Sequence, residues 1–209
     1  MKSIIDIKTS NQNIEYFDAL NFMEKKVDKI LCNEENEMLW FLNHHHIYTC
    51  GTSSNRNEIL SKTNIPILQT NRGGKTTYHG PGQRIVYFMI NLNKRKKDIR
   101  KLIRNIEKCI ILTLAHFKIN SFNDKKNIGI WVKHNSEILK IAAIGIRVKK
   151  WIAFHGFCIN ISNDLNIYKK IIPCGINNKK ITNIIKLKRN KIKIDEEIIK
   201  NFLKVFRNF

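Results

Sequence analysis

Three groups of residues could do chemistry together: a cysteine at a bend, a lysine inside an apolar run, and a glycine-rich loop crowded with donors. Cys174 lies in Ile171-Ile172-Pro173-Cys174-Gly175-Ile176. Proline sets a turn and withholds a donor, and glycine frees the backbone after it. The thiol is therefore expected at a bend rather than inside an element. To be a good nucleophile at neutral pH it needs a nearby positive charge or helix N-terminus. A cysteine taken alone is more often a small buried hydrophobe. Cys109, within a helical stripe, and Cys158, in Phe157-Cys158-Ile159, fit that description better than Cys174 does. Lys140 lies in Ile138-Leu139-Lys140-Ile141-Ala142-Ala143-Ile144-Gly145. An amine held among apolar neighbours can both donate and accept protons. The plainer alternative is a strand-end lysine whose head snorkels to water.

The third group is Arg72-Gly73-Gly74-Lys75-Thr76-Thr77-Tyr78-His79-Gly80-Pro81-Gly82-Gln83. It has no apolar periodicity and so cannot be core, yet it runs straight into a strand-like stretch, Arg84 to Ile90. A donor-rich loop fixed to a buried strand is how folds build binding sites. Its glycines let the backbone approach a ligand or adopt positive φ. Gly74-Lys75-Thr76 resembles the end of a phosphate-binding loop, but that motif needs a glycine where Gln69 stands. An ordinary glycine-rich connection is the alternative. Together with the Pro-Cys-Gly turn, the loop points to acyl transfer.

His44-His45-His46 cannot bind one metal through all three rings on a regular strand, because successive side chains point to opposite faces. His79 and His155 each precede a glycine and are better pocket candidates. The cysteines (Cys32, Cys50, Cys109, Cys158 and Cys174) are odd in number, widely spaced and without a CxxC. Neither a disulfide framework nor a zinc site is expected; we expect no metal and no cofactor.

The elements that must position these groups come from periodicity. Phe17, Leu20, Met23, Val27, Ile30 and Leu31 form a helical stripe, as do Ile99, Leu102, Ile103, Ile106, Ile110 and Leu114. Strands are expected at 38–42, 65–70, 84–90, 128–132, 138–148 and 151–161. A turn or two of helix is expected at 164–172, ended by Pro173. Asp195, Glu196 and Glu197 suit the positive N-terminus of a helix reaching Phe206. Helices and strands mix without βαβ alternation. The fold class is α+β: a mixed, mainly antiparallel sheet with helices packed on one side.

The 209 residues, 43% hydrophobic, suit a single domain over 1–209. No apolar run reaches the ~18 residues of a membrane span. The first residues are too briefly apolar for a signal peptide. We expect a soluble, cytoplasmic protein. The net charge of +21 would suit a nucleic-acid binder, but the basic residues are spread out. Lysine, asparagine and isoleucine abound throughout, so compositional drift is the plainer reading, and no specific nucleic-acid partner is expected.

The runs RGGKTTYHGPGQRIVYF (72–88), KIAAIGIRVKKWIAFHGFCINI (140–161) and IIPCGI (171–176) resemble the signature blocks of the lipoyl(octanoyl) transferases. Asn43 to Gly51 resembles a further block, and the similarity runs in order from about Met38 to Ile184. The resemblance implies the catalytic-domain fold of the biotin and lipoate protein ligases. It implies transfer of an octanoyl group from acyl carrier protein to a lysine of lipoyl domains, in 2-oxoacid dehydrogenases and glycine-cleavage H protein. It puts the nucleophile on Cys174 and its paired lysine on Lys140. Substrate contacts fall on Arg72, Gly73, Gly74, Lys75, Thr76, Thr77, Tyr78 and His79, on Ala143, Ile144 and Gly145, and on Gly156, Phe157 and Cys158. The chain departs from the family pattern at His45-His46 (usually Pro-Pro), at Phe88 (often Pro) and at Arg84 (commonly aliphatic). The rivals are an ATP-dependent lipoate or biotin ligase on the same fold, a basic nucleic-acid binder, and a hydrolytic cysteine enzyme with a histidine base.

Overall fold

The computed structural model describes residues 4–175, 180–188, 192–207 and 209. The chain opens with strand β1 (Ile5–Ile14), helix α1 (Tyr16–Leu31) and strand β2 (Glu37–His44). Three short strands follow, β3 (Ile47–Cys50), β4 (Ile67–Gln69) and β5 (Thr77–His79), then the long β6 (Gln83–Asn91) and helix α2 (Ile99–His116). Strands β7 (Ser121–Asn123), β8 (Ile130–His134), β9 (Glu137–Lys149) and β10 (Ile152–Asn160) form a meander. The chain ends in β11 (Lys180–Ile181), α3 (Ile184–Lys188) and α4 (Asp195–Phe206).

The main sheet has the order β1-β2-β6-β10-β9-β8-β7, with β11 added to β9. β1–β2 and β11–β9 are parallel and the other pairs antiparallel, so the sheet is mixed and mainly antiparallel as expected. The hairpins β8–β9 and β9–β10 each close on two residues at positive φ, Asn135-Ser136 and Lys150-Trp151, as a type I′ turn requires. A second, three-stranded sheet of order β4-β3-β5 carries the loop that precedes β5.

Helices lie on both faces of the main sheet, not on one. Leu39, Phe41, Val86, Phe88 and Ile90 pack against Leu102, Ile106, Ile110 and Leu114 of α2 and Ile198, Phe202 and Phe206 of α4. The alternate residues Trp40, Leu42, Ile85, Tyr87 and Met89 pack against Ala19, Met23, Val27 and Ile30 of α1. The reason lies in β2 and β6, whose central residues are apolar without alternation. A strand apolar on both faces needs cover on both. Asp98 caps α2 by accepting from the Lys101 N–H at 2.9 Å.

Three of the positions that depart from the resembled pattern, Arg84, Phe88 and His46, make buried or half-buried contacts. Arg84 grips Asp195 at two points, Nε to Oδ1 at 2.9 Å and Nη2 to Oδ2 at 2.5 Å, tying β6 to α4. Phe88 packs on Phe202 with ring centroids 6.1 Å apart. His46 Nδ1 meets the Tyr78 hydroxyl at 2.7 Å, and exposed His45 lies 3.8 Å from Glu15.

Candidate active site

A cavity of about 510 Å³ opens beside β9 and β10. Cys174 and Lys140, 34 positions apart in sequence, both line it. So do Arg72, Gly73, Gly74, Lys75, Thr77, His79, Ala143, Ile144, Gly145, Gly156, Phe157 and Cys158. Thr76 and Tyr78 do not share that lining. Tyr78 alternates with Thr77 and His79 along β5 and Thr76 directly precedes it, so their side chains leave from the other face. There Tyr78 packs with Tyr48 and Tyr168, and the Thr76 hydroxyl donates to Cys50 Sγ at 3.6 Å.

Lys140 reaches the cavity through an irregularity in β9. Ile130 of β8 pairs with Ala142, while the next residue, Trp131, pairs with Lys140. Ile141 is thus the extra residue of a β-bulge, which re-aims side chains on either side of it. Lys140 and Ala143, three positions apart, come to line one cavity, while Leu139 and Ile141 enter the core on the opposite face. The Lys140 side chain is almost wholly buried at 4% exposure. Its Nζ donates to the Ile128 carbonyl at 3.0 Å and lies 5.3 Å from the centre of the Trp131 ring. Nothing acidic is among these contacts, so the ammonium keeps capacity for a partner in the cavity.

Cys174 is half-buried, in a short 3-10 turn at Pro173–Gly175. Its backbone is left-handed (φ 56°, ψ 20°), as is that of Gly175 (φ 69°). The bend expected from Pro-Cys-Gly is present, and a non-glycine residue at such an angle is strained. The Cys174 N–H donates to the Thr76 carbonyl at 2.8 Å, joining the turn to the glycine-rich loop.

Arg72 is expected to meet substrate, but its donors are largely spent on β3 and on the loop. Nη2 donates to the Thr49 and Lys75 carbonyls at 2.7 and 2.9 Å, and Nη1 to the Gly73 carbonyl at 3.1 Å. The buried guanidinium staples the loop to β3 and presents its remaining edge to the cavity. Loop glycine is required where Gly74 sits at φ 92°.

The exposed part of the lining includes Lys75, Lys126 and Ile128; the deep part is Tyr16, His79, Ile85, Tyr87, His155 and Cys158, all buried. Sequence reasoning placed His79 and His155 in a pocket. It missed Tyr16 and Tyr87, although a tyrosine in the apolar run of β6 was a usable signal. It also treated His44 only as part of a metal triplet. His44 is fully buried, its Nδ1–H donating to the Ile14 carbonyl at 2.7 Å and its Nε2 accepting from the Tyr87 hydroxyl at 2.8 Å. Among the described residues no cluster of three or more His, Cys, Asp or Glu could hold a metal.

Burial sets the protonation of this interior. It pushes His44 down to about 4 and, helped by the Arg72 and Arg147 charges, His155 to about 3. His79 falls well below its ordinary value for the same reason, with His44 and Arg72 adding to the shift. All three imidazoles are neutral at pH 7. Burial raises Cys158 to about 11, so it remains a thiol. Cys174, half-buried at the cavity, is the better placed of the two sulfurs to react.

The chain matches the family model described as the lipoyl protein ligase A/B catalytic domain over residues 15–207. It is 46% identical over 200 residues to an octanoyltransferase of Wolbachia sp. subsp. Brugia malayi (strain TRS), covering 94% of this chain and 97% of the relative. It is 43% identical over 205 residues to an octanoyltransferase of Anaplasma phagocytophilum (strain HZ), covering 97% and 99%. A crystal structure of lipoate-protein ligase A bound with ATP superposes with a TM-score of 0.71 at 14% identity, covering 99% of this chain and 86% of that one. A bi-partite lipoate protein ligase from Thermoplasma acidophilum gives a TM-score of 0.70 at 14% identity, covering 99% and 84%. These structural likenesses show the biotin and lipoate ligase type of fold.

Proposed function

The chain belongs to the lipoyl protein ligase A/B catalytic-domain family, and from that premise we propose that Cys174 carries the acyl group while Lys140 handles its protons. The protein is an acyltransferase, and octanoyl transfer in lipoate biosynthesis is its activity. The observation that carries the mechanistic reading is that Cys174 and Lys140 line one cavity.

The donor is an octanoyl thioester on acyl carrier protein, already activated. The Cys174 thiolate attacks its carbonyl carbon, forming a new C–S bond. The bond to the carrier sulfur breaks, and the departing thiolate takes a proton from the Lys140 ammonium. The ε-amine of a lipoyl-domain lysine then attacks the enzyme thioester. A C–N bond forms, the C–S bond to Cys174 breaks, and the neutral Lys140 amine accepts the proton lost by nitrogen. One hard acyl transfer becomes two easier ones, with Lys140 as acid and then base.

Ile85, Ala143, Ile144 and Phe157 supply apolar walls for the octanoyl chain. Burying it contributes about 0.8 kcal/mol per methylene. The acceptors are lipoyl domains of 2-oxoacid dehydrogenases and glycine-cleavage H protein, and the site of action is the cytoplasm. Lys75 and Lys126 on the lining and a net charge of +21 favour encounter with acidic carrier and lipoyl domains. We read residues 1–209 as one catalytic domain.

An ATP-dependent ligase on the same fold holds an acyl-adenylate and needs no cysteine nucleophile. The strained Pro-Cys-Gly turn beside Lys140 supports the transferase. Incubating the protein and an apo lipoyl domain with either octanoyl carrier protein or octanoate plus ATP tests this. Product is expected only with the carrier; product only with octanoate and ATP would reverse the assignment.

A further inference from the structure

Glu58 lies in a 3-10 turn, Arg56–Glu58, between β3 and β4. It is 4% exposed although its surroundings in sequence are polar. A carboxylate buried in this way needs a partner, and the contacts of Glu58 lead to the nucleophile from two sides. Glu58 Oε2 accepts the Thr76 N–H at 2.8 Å. The carbonyl of that same Thr76 accepts the Cys174 N–H at 2.8 Å. The backbone carbonyl of Glu58 accepts the Ile172 N–H at 2.7 Å. An isolated bridge between Ile59 and Ile171, and the Leu60 N–H on the Lys170 carbonyl at 2.9 Å, extend the seam.

We infer that Glu58 is a positioning residue for the acyl transfer, a clamp that holds the strained turn of Cys174 against the glycine-rich loop; this rests on the reading of Cys174 as the nucleophile. Left-handed backbone at a non-glycine residue persists only where its surroundings over-determine it. The Glu58 side chain holds Cys174 through Thr76, while the backbone carbonyl of the same residue holds Ile172, two before Cys174. Its other oxygen, Oε1, has no hydrogen-bond partner among the described residues and faces Lys75 Nζ at 3.6 Å. Lys75 in turn packs over Gly175, where a Cβ would stand 2.3 Å from Lys75 Cδ. The Lys75 side chain is 45% exposed, so the ion pair itself adds little. The hydrogen bond to Thr76 is the part that positions.

Glu58→Ala and Glu58→Gln separate these effects. Glutamine keeps an oxygen for the Thr76 N–H and loses the charge; alanine loses both. Expected for Glu58→Ala is a fall in kcat of about ten-fold or more with KM for octanoyl carrier protein little changed, since small misplacements of reacting groups cost up to ~100-fold. Amide hydrogen exchange, which needs no substrate, is expected to quicken at Thr76 and Cys174 but not in α2. Glu58→Gln is expected to restore most of both. A Glu58→Ala enzyme with wild-type kcat, a glutamine variant as impaired as the alanine one, or exchange quickened uniformly across the protein would overturn the inference. Wild-type protein that forms no acyl adduct would strike the reading of Cys174 instead, while the exchange pattern still judges the clamp.

Discussion

Lys140 crosses Gly129 with no room for a side chain between them: a Cβ on Gly129 would stand 2.4 Å from Lys140 Cε and 3.0 Å from its Nζ. The glycine also sits at φ 134°, outside the range comfortable for other residues. Gly129→Ala therefore displaces the amine from the cavity. The expected result is a loss in kcat of about 10- to 100-fold. A double-mutant cycle makes the cause visible. In a Lys140→Ala background, itself slowed in both half-reactions, Gly129→Ala should cost little more in kcat, because the amine it displaces is already gone; the backbone strain and the 2.8 Å approach of the new Cβ to the Ala142 carbonyl remain and appear as lost stability. Losses that multiply independently would detach Gly129 from Lys140.

The neutral imidazoles make stability depend on pH. His44 and His155 titrate at about 4 and about 3 in the folded protein, against about 6.5 when unfolded. Below pH 6.5 the unfolded chain takes up protons that the folded one refuses. Their contribution is complete above pH 6.5 and declines as pH falls toward 4 for His44 and 3 for His155. Each contributes a slope of up to about 1.4 kcal/mol per pH unit in that window. His79 adds in the same direction. Urea midpoints measured from pH 7 to pH 5 should fall steadily, and His44→Asn should flatten the decline by one group's share. A flat profile would mean these rings titrate normally in the fold.

The Arg84–Asp195 pair lies away from the cavity and holds α4 to β6. Asp195→Ala strands a guanidinium that is only 15% exposed. The expected cost is about 1–3 kcal/mol, read from denaturant unfolding. kcat should be unchanged. Arg84→Leu, the aliphatic choice usual in the family, should recover much of that loss in the Asp195→Ala background. A change in kcat without a change in stability would place α4 nearer the chemistry than the fold does.

The long helices were legible because their apolar residues recur at helical spacing, and the long strands because their apolar runs are continuous. The runs that became β6, β9 and β10 are dense in branched and aromatic residues, and α4 begins at the acidic triplet that marked it. β1 was not legible. Six of its ten residues, Lys8 to Asn13, form an unbroken polar run at a half-exposed edge of the sheet, so nothing in it reads as core. Phe17, expected inward, is 63% exposed, while Tyr16 and Ala19 take the buried face of α1. The loop, Cys174 and Lys140 stood out by composition. That they would line one cavity did not, because it depends on a bulge at Ile141 that no local pattern announces. Glu58 carried no signal at all: an acidic residue in a polar stretch looks solvated until the fold buries it.

Intact-mass measurement tests the central claim most directly. Wild-type protein mixed with octanoyl carrier protein, without acceptor, should gain one octanoyl group, located by peptide mapping on Cys174 and removed by an apo lipoyl domain. Cys174→Ser should gain none and transfer none. A wild-type enzyme that modifies the lipoyl domain without passing through an adduct, or an adduct on another residue, would contradict the account.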